Sequence, residues 1–250
     1  MKTSIAAAIQ FEPKLHDVFA NLQIAQQMTF EAAAKGAALI VLPELCTSGY
    51  SFNGMREAAD CAQEKSGFQT EYFIPIARRF NTNIVFGYVE TYEGNLYNSA
   101  AVVGPLGLVG NFRKKNLWGP DNLWAKSSED LHEVLTTRAG RLGVLICRDV
   151  MNNYRSSYRF YNPSHKFYKR GSVDTIALLS NWGSDYGYPD SSWVELAEET
   201  GANLVVSNRI GEERDLKFKG GACCIDKNKK IYTYGSSFTE ACVVGGCIVI

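Results

Sequence analysis

Apolar residues along this chain fall into two kinds of run: short continuous ones that read as buried strands, and ones spaced three and four apart that read as helix faces. Ser4 to Phe11 is dense enough for a first strand, and Val18, Leu22, Ala25, Thr29 and Ala32 then share one helical face that Lys35-Gly36 should end. Ala37 to Leu42 reads as a continuous buried strand, followed by a loop from Pro43 to Tyr50. Helices are predicted over Met55 to Glu64 and Thr70 to Phe80, then a strand over Asn83 to Val89. Gly104-Pro105-Leu106-Gly107 fits a type I turn, joining a strand over Tyr97 to Val103 to one over Leu108 to Phe112. The Tyr-, Arg- and Lys-rich stretch Asn152 to Arg170 reads as mostly helical, with a break near Asn162-Pro163. Thr175 to Leu179 and Asn203 to Ser207 are predicted as buried strands around a helix from Ser191 to Thr200. Cys223 to Asp226, Lys230 to Tyr234 and Ala241 to Val249 complete the strands, the first two joined around Lys227-Asn228-Lys229. Strands alternate with helices in both halves, and hairpins occur within each. An α/β fold of two facing sheets with helices on both outer faces, a four-layer αββα sandwich, satisfies that order.

Composition narrows the class. The 250 residues suit one domain spanning 1–250, with no Pro- or Ser-rich linker. No apolar run approaches the roughly 20 residues that span a bilayer, so no membrane association is expected. Met1 to Gln10 runs straight into Phe11-Glu12-Pro13 and reads as a strand rather than a signal peptide, which makes the cytoplasm the expected compartment. Lys and Arg together number 26, as do Asp and Glu, so no global charge excess draws nucleic acid. Seven Cys, no Cys-x-x-Cys pair and only three His point to reduced thiols and no metal site. Cys223 and Cys224 would face opposite sides of a strand and read as packing residues.

Three ionisable residues stand where apolar runs end. Glu44 follows Ala37 to Pro43, Lys114 follows Leu108 to Arg113, and Cys147 follows Gly143-Val144-Leu145-Ile146. Each has an ordinary alternative: a solvated loop carboxylate, a surface lysine beside Arg113 and Lys115, and a small buried thiol. If the three strands share a sheet rim, the three side chains converge there.

The segments Leu42-Pro43-Glu44-Leu45, Phe112-Arg113-Lys114-Lys115-Asn116-Leu117 and Leu145-Ile146-Cys147-Arg148-Asp149 resemble, in the same order, those of the nitrilase superfamily of carbon–nitrogen hydrolases. The resemblance extends over Gln10-Phe11, Asn181-Trp182, the Ser191 to Thr200 helix, Val205 to Arg209 and Gly220-Gly221-Ala222. It implies the αββα fold, Glu44 as general base, Lys114 as transition-state stabiliser and Cys147 as nucleophile. Chemistry of that kind needs a thiolate, and Lys114 with a helix N-terminus after Cys147 is expected to lower the thiol's pKa. Lys114 and the backbone N–H of Arg148 would then form the oxyanion hole, and water, with no cofactor, would complete the cycle.

Around these residues several readings stay open. Asp121 is the best match to a second glutamate that many family members carry beyond the lysine, or else a loop aspartate capping a turn beside Pro120. Arg148-Asp149 replaces the Trp-Glu expected of true nitrilases, which favours amide or N-carbamoyl substrates. Arg148 either reaches a substrate carboxylate or pairs with Asp149 or another acid. Tyr50, Trp118, Asn181 and Trp182 lie in segments that line the family's pocket, as do Trp124, Trp193 and Tyr186, though tryptophans also pack for stability. The family implies at least a homodimer. Two further functions share the same residues: an acyltransferase using the same thioester, and a non-catalytic scaffold binding RNA or protein through Tyr154 to Arg170.

Overall fold

The first apolar run forms β1 (Thr3–Gln10) in a computed structural model that describes residues 3–150, 168–183, 190–233 and 242–249. Crossovers carrying α1 (Val18–Ala34), α2 (Met55–Ala59) and α3 (Phe68–Phe80) set β1, β2 (Ala37–Val41) and β3 (Asn83–Tyr92) parallel. Two hairpins then add β4 (Asn95–Gly104) and β5 (Gly107–Arg113). The second sheet collects β6 (Leu135–Thr137), β7 (Gly140–Ile146), β8 (Thr175–Ser180) and β9 (Asn203–Asn208), with α4 (Ser191–Thr200) between the last two. A small hairpin of β10 (Ile210–Glu213) and β11 (Leu216–Lys219) stands outside both sheets. The second sheet is completed by β12 (Cys223–Ile225) and β13 (Ile231–Thr233), in the order β13-β12-β9-β8-β7-β6. The last strand, β14 (Cys242–Val249), returns to the first sheet antiparallel to β1, giving the order β14-β1-β2-β3-β4-β5.

Period-2 alternation sorts the layers. Ala6, Ala8, Leu39, Val41, Val85, Ala100 and Val102 face the second sheet, where they meet a cluster that includes Val144, Ala177 and Val205. Ala7, Ile9, Ile40, Phe86 and Tyr88 face the other way and bury the apolar faces of α1 and α3. On the far side of the second sheet α4 inserts Trp193, which is 1% exposed, with Leu196 and Ala197. The result is the αββα sandwich. Gly36 takes positive φ where the sequence ended α1; the structure adds the Asp17 and Asp190 side chains, which accept backbone N–H groups at the starts of α1 and α4, and Gly201, which takes positive φ after α4.

Most predicted boundaries agree within two residues. One helix is shorter than the expected Met55 to Glu64: α2 stops at Ala59 because Gln63 exchanges backbone hydrogen bonds with β3, its N–H with Val89 O and its carbonyl with Thr91 N. The helix predicted over Asn152 to Arg170 falls mainly outside the described residues, as does Tyr186. Among the described residues no helix is long and apolar enough to cross a membrane.

Candidate active site

Lys114 and Asn98 are neighbours across β4 and β5, joined by the Lys114 N–H to Asn98 O bond of 2.8 Å. Both side chains lie on the inner face, in the alternation that runs Ala100 and Val102 on one strand and Phe112 on the other. Glu44 arrives over the same face from the loop after β2. Its backbone crosses β3 at Gly87, where any Cβ would overlap Leu45 N and sit 2.8 Å from Glu44 Cα, so only glycine permits the approach. Leu45 itself adopts φ 46, in the left-handed region that bulky residues avoid.

The Lys114 ammonium bonds Glu44 Oε1 and Asp121 Oδ2, each at 2.6 Å, with all three side chains fully buried or nearly so. Asn98 Nδ2 donates to the same two carboxylates, to Glu44 Oε1 at 2.7 Å and Asp121 Oδ1 at 3.1 Å. Asp121 also accepts the Trp118 N–H at 3.1 Å, so both its oxygens are occupied. Glu44 differs: its Oε2 is buried and has no partner among the described residues. Tyr50 closes one side, its hydroxyl donating to Trp118 O at 2.9 Å and its ring stacked against Trp118 with centroids 6.5 Å apart.

Cys147 begins the 3-10 turn Cys147–Val150 directly after β7 and takes φ 46. A non-glycine residue held there carries strain of about 1–3 kcal/mol that its surroundings must sustain. Asp149 supplies much of that restraint, accepting Ile146 N at 3.3 Å, Asn116 N at 2.9 Å and Lys115 N at 3.2 Å. It thereby ties the strand end bearing Cys147 to the chain just past Lys114. The Asn181 backbone N–H bonds the Cys147 sulfur.

Burial and the neighbouring charges set the protonation states. Desolvation, opposed by Lys114, pushes the Glu44 carboxyl above its ordinary range. Burial disfavours the Lys114 ammonium, but Asp121 and Glu44 together outweigh it and hold the lysine charged. The Cys147 thiol departs from the sequence expectation. Burial and Glu44 raise its pKa well above the usual value, and the opposing charge of Lys114 does not outweigh them. This environment favours the thiol over the thiolate.

Of the other residues singled out in the sequence, Tyr50, Trp118 and Asp121 join this cluster, while Asn181 touches Cys147 through its backbone. Asn181's side-chain amide is buried without a partner among the described residues. Trp182 packs edge-on against Trp193, with ring centroids 5.7 Å apart, and Trp124 packs on Phe52. Arg148 is half-buried next to Cys147, and Asp149, considered as its partner, receives backbone N–H groups instead. Sequence reasoning missed Asn98, though a polar residue at a core-facing position of an alternating strand was a usable signal. It also missed the Arg209–Glu213 ion pair of 2.6 Å, whose carboxylate accepts Tyr50 N at 2.7 Å and fixes the loop that carries Glu44. Among the described residues no group of three or more His, Cys, Asp or Glu is arranged to hold a metal ion.

Comparison with known proteins places this geometry. The carbon–nitrogen hydrolase family model matches residues 5–162. A protein named nitrilase from Pyrococcus abyssi (strain GE5 / Orsay) is 30% identical over 94% of this chain and 86% of its own length. An (R)-stereoselective amidase from a Pseudomonas species is 28% identical over 75% of this chain and 65% of its own length. An amidase from Nesterenkonia sp. superposes with a TM-score of 0.80 at 18% identity, covering 98% of this chain and 90% of that one, a likeness of fold. The chain belongs to the carbon–nitrogen hydrolase family, the nitrilase superfamily, whose enzymes hydrolyse carbon–nitrogen bonds.

Proposed function

We propose that the protein hydrolyses a small amide or N-carbamoyl compound through a thioester on Cys147. The observation that carries this reading is the open oxygen of Glu44. Two buried carboxylates flank Lys114, and only Glu44 Oε2 has no donor, which leaves it to exchange a proton with Cys147. Its raised pKa suits a group that must both take and return a proton near neutrality.

In the first half-reaction Glu44 takes the thiol proton as Sγ bonds the carbonyl carbon. The carbon–nitrogen bond then breaks, and Glu44 returns the proton to the departing nitrogen, giving ammonia or an amine. In the second half Glu44 draws a proton from water as its oxygen bonds the thioester carbon, then gives that proton to the departing sulfur, which releases the acid and restores the thiol and the carboxylate. Lys114 commits two of its three N–H groups to Glu44 and Asp121, and the third, with the backbone N–H of Arg148, meets the oxyanion. Each such donor is worth about 3–4 kcal/mol in the transition state. Asp121, occupied at both oxygens, orients Lys114. Arg148 in place of Trp favours amide over nitrile and offers a partner for a substrate carboxylate. The same reading makes the chain at least a dimer, which light scattering checks.

The test is ammonia release from small amides, carbamoyl compounds and nitriles, for wild type and Cys147→Ala, with intact mass read at short times. Turnover abolished in the variant, with an acyl adduct on wild type, is the expected result. An adduct discharged by amines but not by water would move the assignment to acyl transfer. A folded wild type that neither turns over nor acquires an adduct would sink it.

A further inference from the structure

Asn98 lies on β4 between the two carboxylates that flank Lys114, 1% exposed, and nothing in the reaction as derived requires it. Its amide orientation follows from its surroundings, because with carboxylates on one side only the nitrogen can face them. That nitrogen reaches Glu44 Oε1 at 2.7 Å and Asp121 Oδ1 at 3.1 Å. Lys114 bridges the same pair from its own position, to Glu44 Oε1 and Asp121 Oδ2. Glu44 Oε1 therefore receives two donors, and Oε2 none among the described residues.

We propose that Asn98 is a positioning residue that selects Glu44 Oε2 as the working proton acceptor, by joining Lys114 in locking Oε1. The inference deepens the reading of Glu44 as general base and rests on it. Without the Asn98 bridge, Lys114 alone would fix Oε1. The carboxylate would then be free to turn about that single bond. With the bridge, Glu44 presents one oxygen in one direction. The Asn98 donor also favours the charged form of Glu44, so its removal moves the acid limb of any Glu44-dependent rate to higher pH.

A readout that needs no amide substrate separates this inference from the choice of reaction. Alkylation of Cys147 by iodoacetamide, followed by peptide mass across pH, is measured for wild type, Glu44→Gln, Asn98→Leu and Asn111→Leu. Asn111 is the control because its amide serves Glu90 on the opposite face of the same strands, with Nδ2 to Oε2 at 2.9 Å. The expected result is an acid limb in wild type that Glu44→Gln loses, leaving only the rise at the thiol's own ionisation, that stays put in Asn111→Leu, and that moves to higher pH in Asn98→Leu. At mid-limb the Asn98→Leu rate should fall roughly ten- to hundredfold, as for one lost hydrogen bond to a charged group. Asn98→Ala is the second variant should leucine prevent folding. A folded Asn98 variant with an unmoved limb and a rate within about twofold of wild type overturns the positioning role while leaving Glu44 as the base. A Glu44→Gln profile that keeps the wild-type limb at the same pH and the same rate overturns both.

Discussion

Two buried carboxylates, Glu44 and Glu90, meet cations from adjacent positions of the chain, Lys114 and Arg113, on opposite faces of the β3–β4–β5 segment. On the outer face Glu90 is saturated: Oε1 accepts Arg113 Nη2 at 2.7 Å, and Oε2 accepts Ser99 Oγ at 2.6 Å, Arg113 Nε at 2.8 Å and Asn111 Nδ2 at 2.9 Å. Arg113 is further held between the rings of Tyr92 and Tyr97, at 4.3 and 4.4 Å. On the inner face Glu44 Oε2 and Asn98 Oδ1 are left without partners among the described residues. A buried charge is tolerable when every lone pair is met, and unmet ones cost stability. The two clusters use the same residue types, and the one with vacancies is the one we assign to chemistry.

The sharpest way to break that contrast is a paired substitution. Glu44→Gln should abolish turnover, by at least about a thousandfold, while stability stays within about 1 kcal/mol because Lys114 keeps Asp121. Glu90→Gln should do the reverse, costing about 3 kcal/mol in urea melts with kcat within severalfold of wild type. Equal loss of activity in both would erase the distinction between the faces.

Next in size is Gly87→Ala, which forces the Glu44 and Leu45 backbone outward. A displacement near 1 Å lowers kcat about a hundredfold, and overpacking adds about 1–3 kcal/mol of destabilisation. Steady-state kinetics and thermal melts read the two effects separately.

Asp149 is another buried carboxylate, held chiefly by backbone N–H groups, and burial pushes its pKa up to about 6 from 3.8. Between those values the folded form keeps a proton that the unfolded form has released. This group's contribution to stability therefore falls as pH rises from about 4 to 6, by about 3 kcal/mol, and is flat above. Wild-type stability minus that of Asp149→Asn, from urea melts across this range, should decline by that amount. A constant difference would mean that the group is ionised throughout.

The smallest effect is expected from Tyr50→Phe, which removes the 2.9 Å bond to Trp118 O but keeps the stacked ring. About 1 kcal/mol of stability and less than a fivefold change in kcat should follow.

Where each run of apolar residues ends is a local property, so Glu44, Lys114 and Cys147 could be read from the chain as the residues at three strand exits. Helix caps, the turn around Pro105 and the alternation of β4 were legible for the same reason: each depends on a few adjacent side chains and the backbone geometry they allow. The departures came from residues far apart in sequence. Gln63 left the helical pattern to bond β3, and the last strand, given no partner by the sequence, pairs with β1. The Arg209–Glu213 pair reached across 163 positions to hold Tyr50. The thiol's raised pKa likewise depends on two carboxylates and on burial, neither of which is a property of the Cys147 segment. The amino-acid order thus set the elements, their αββα arrangement and the three candidate residues. Which carboxylate oxygen is open, and which cluster is saturated, depended on distances between strands, and those exist only once both sheets have packed.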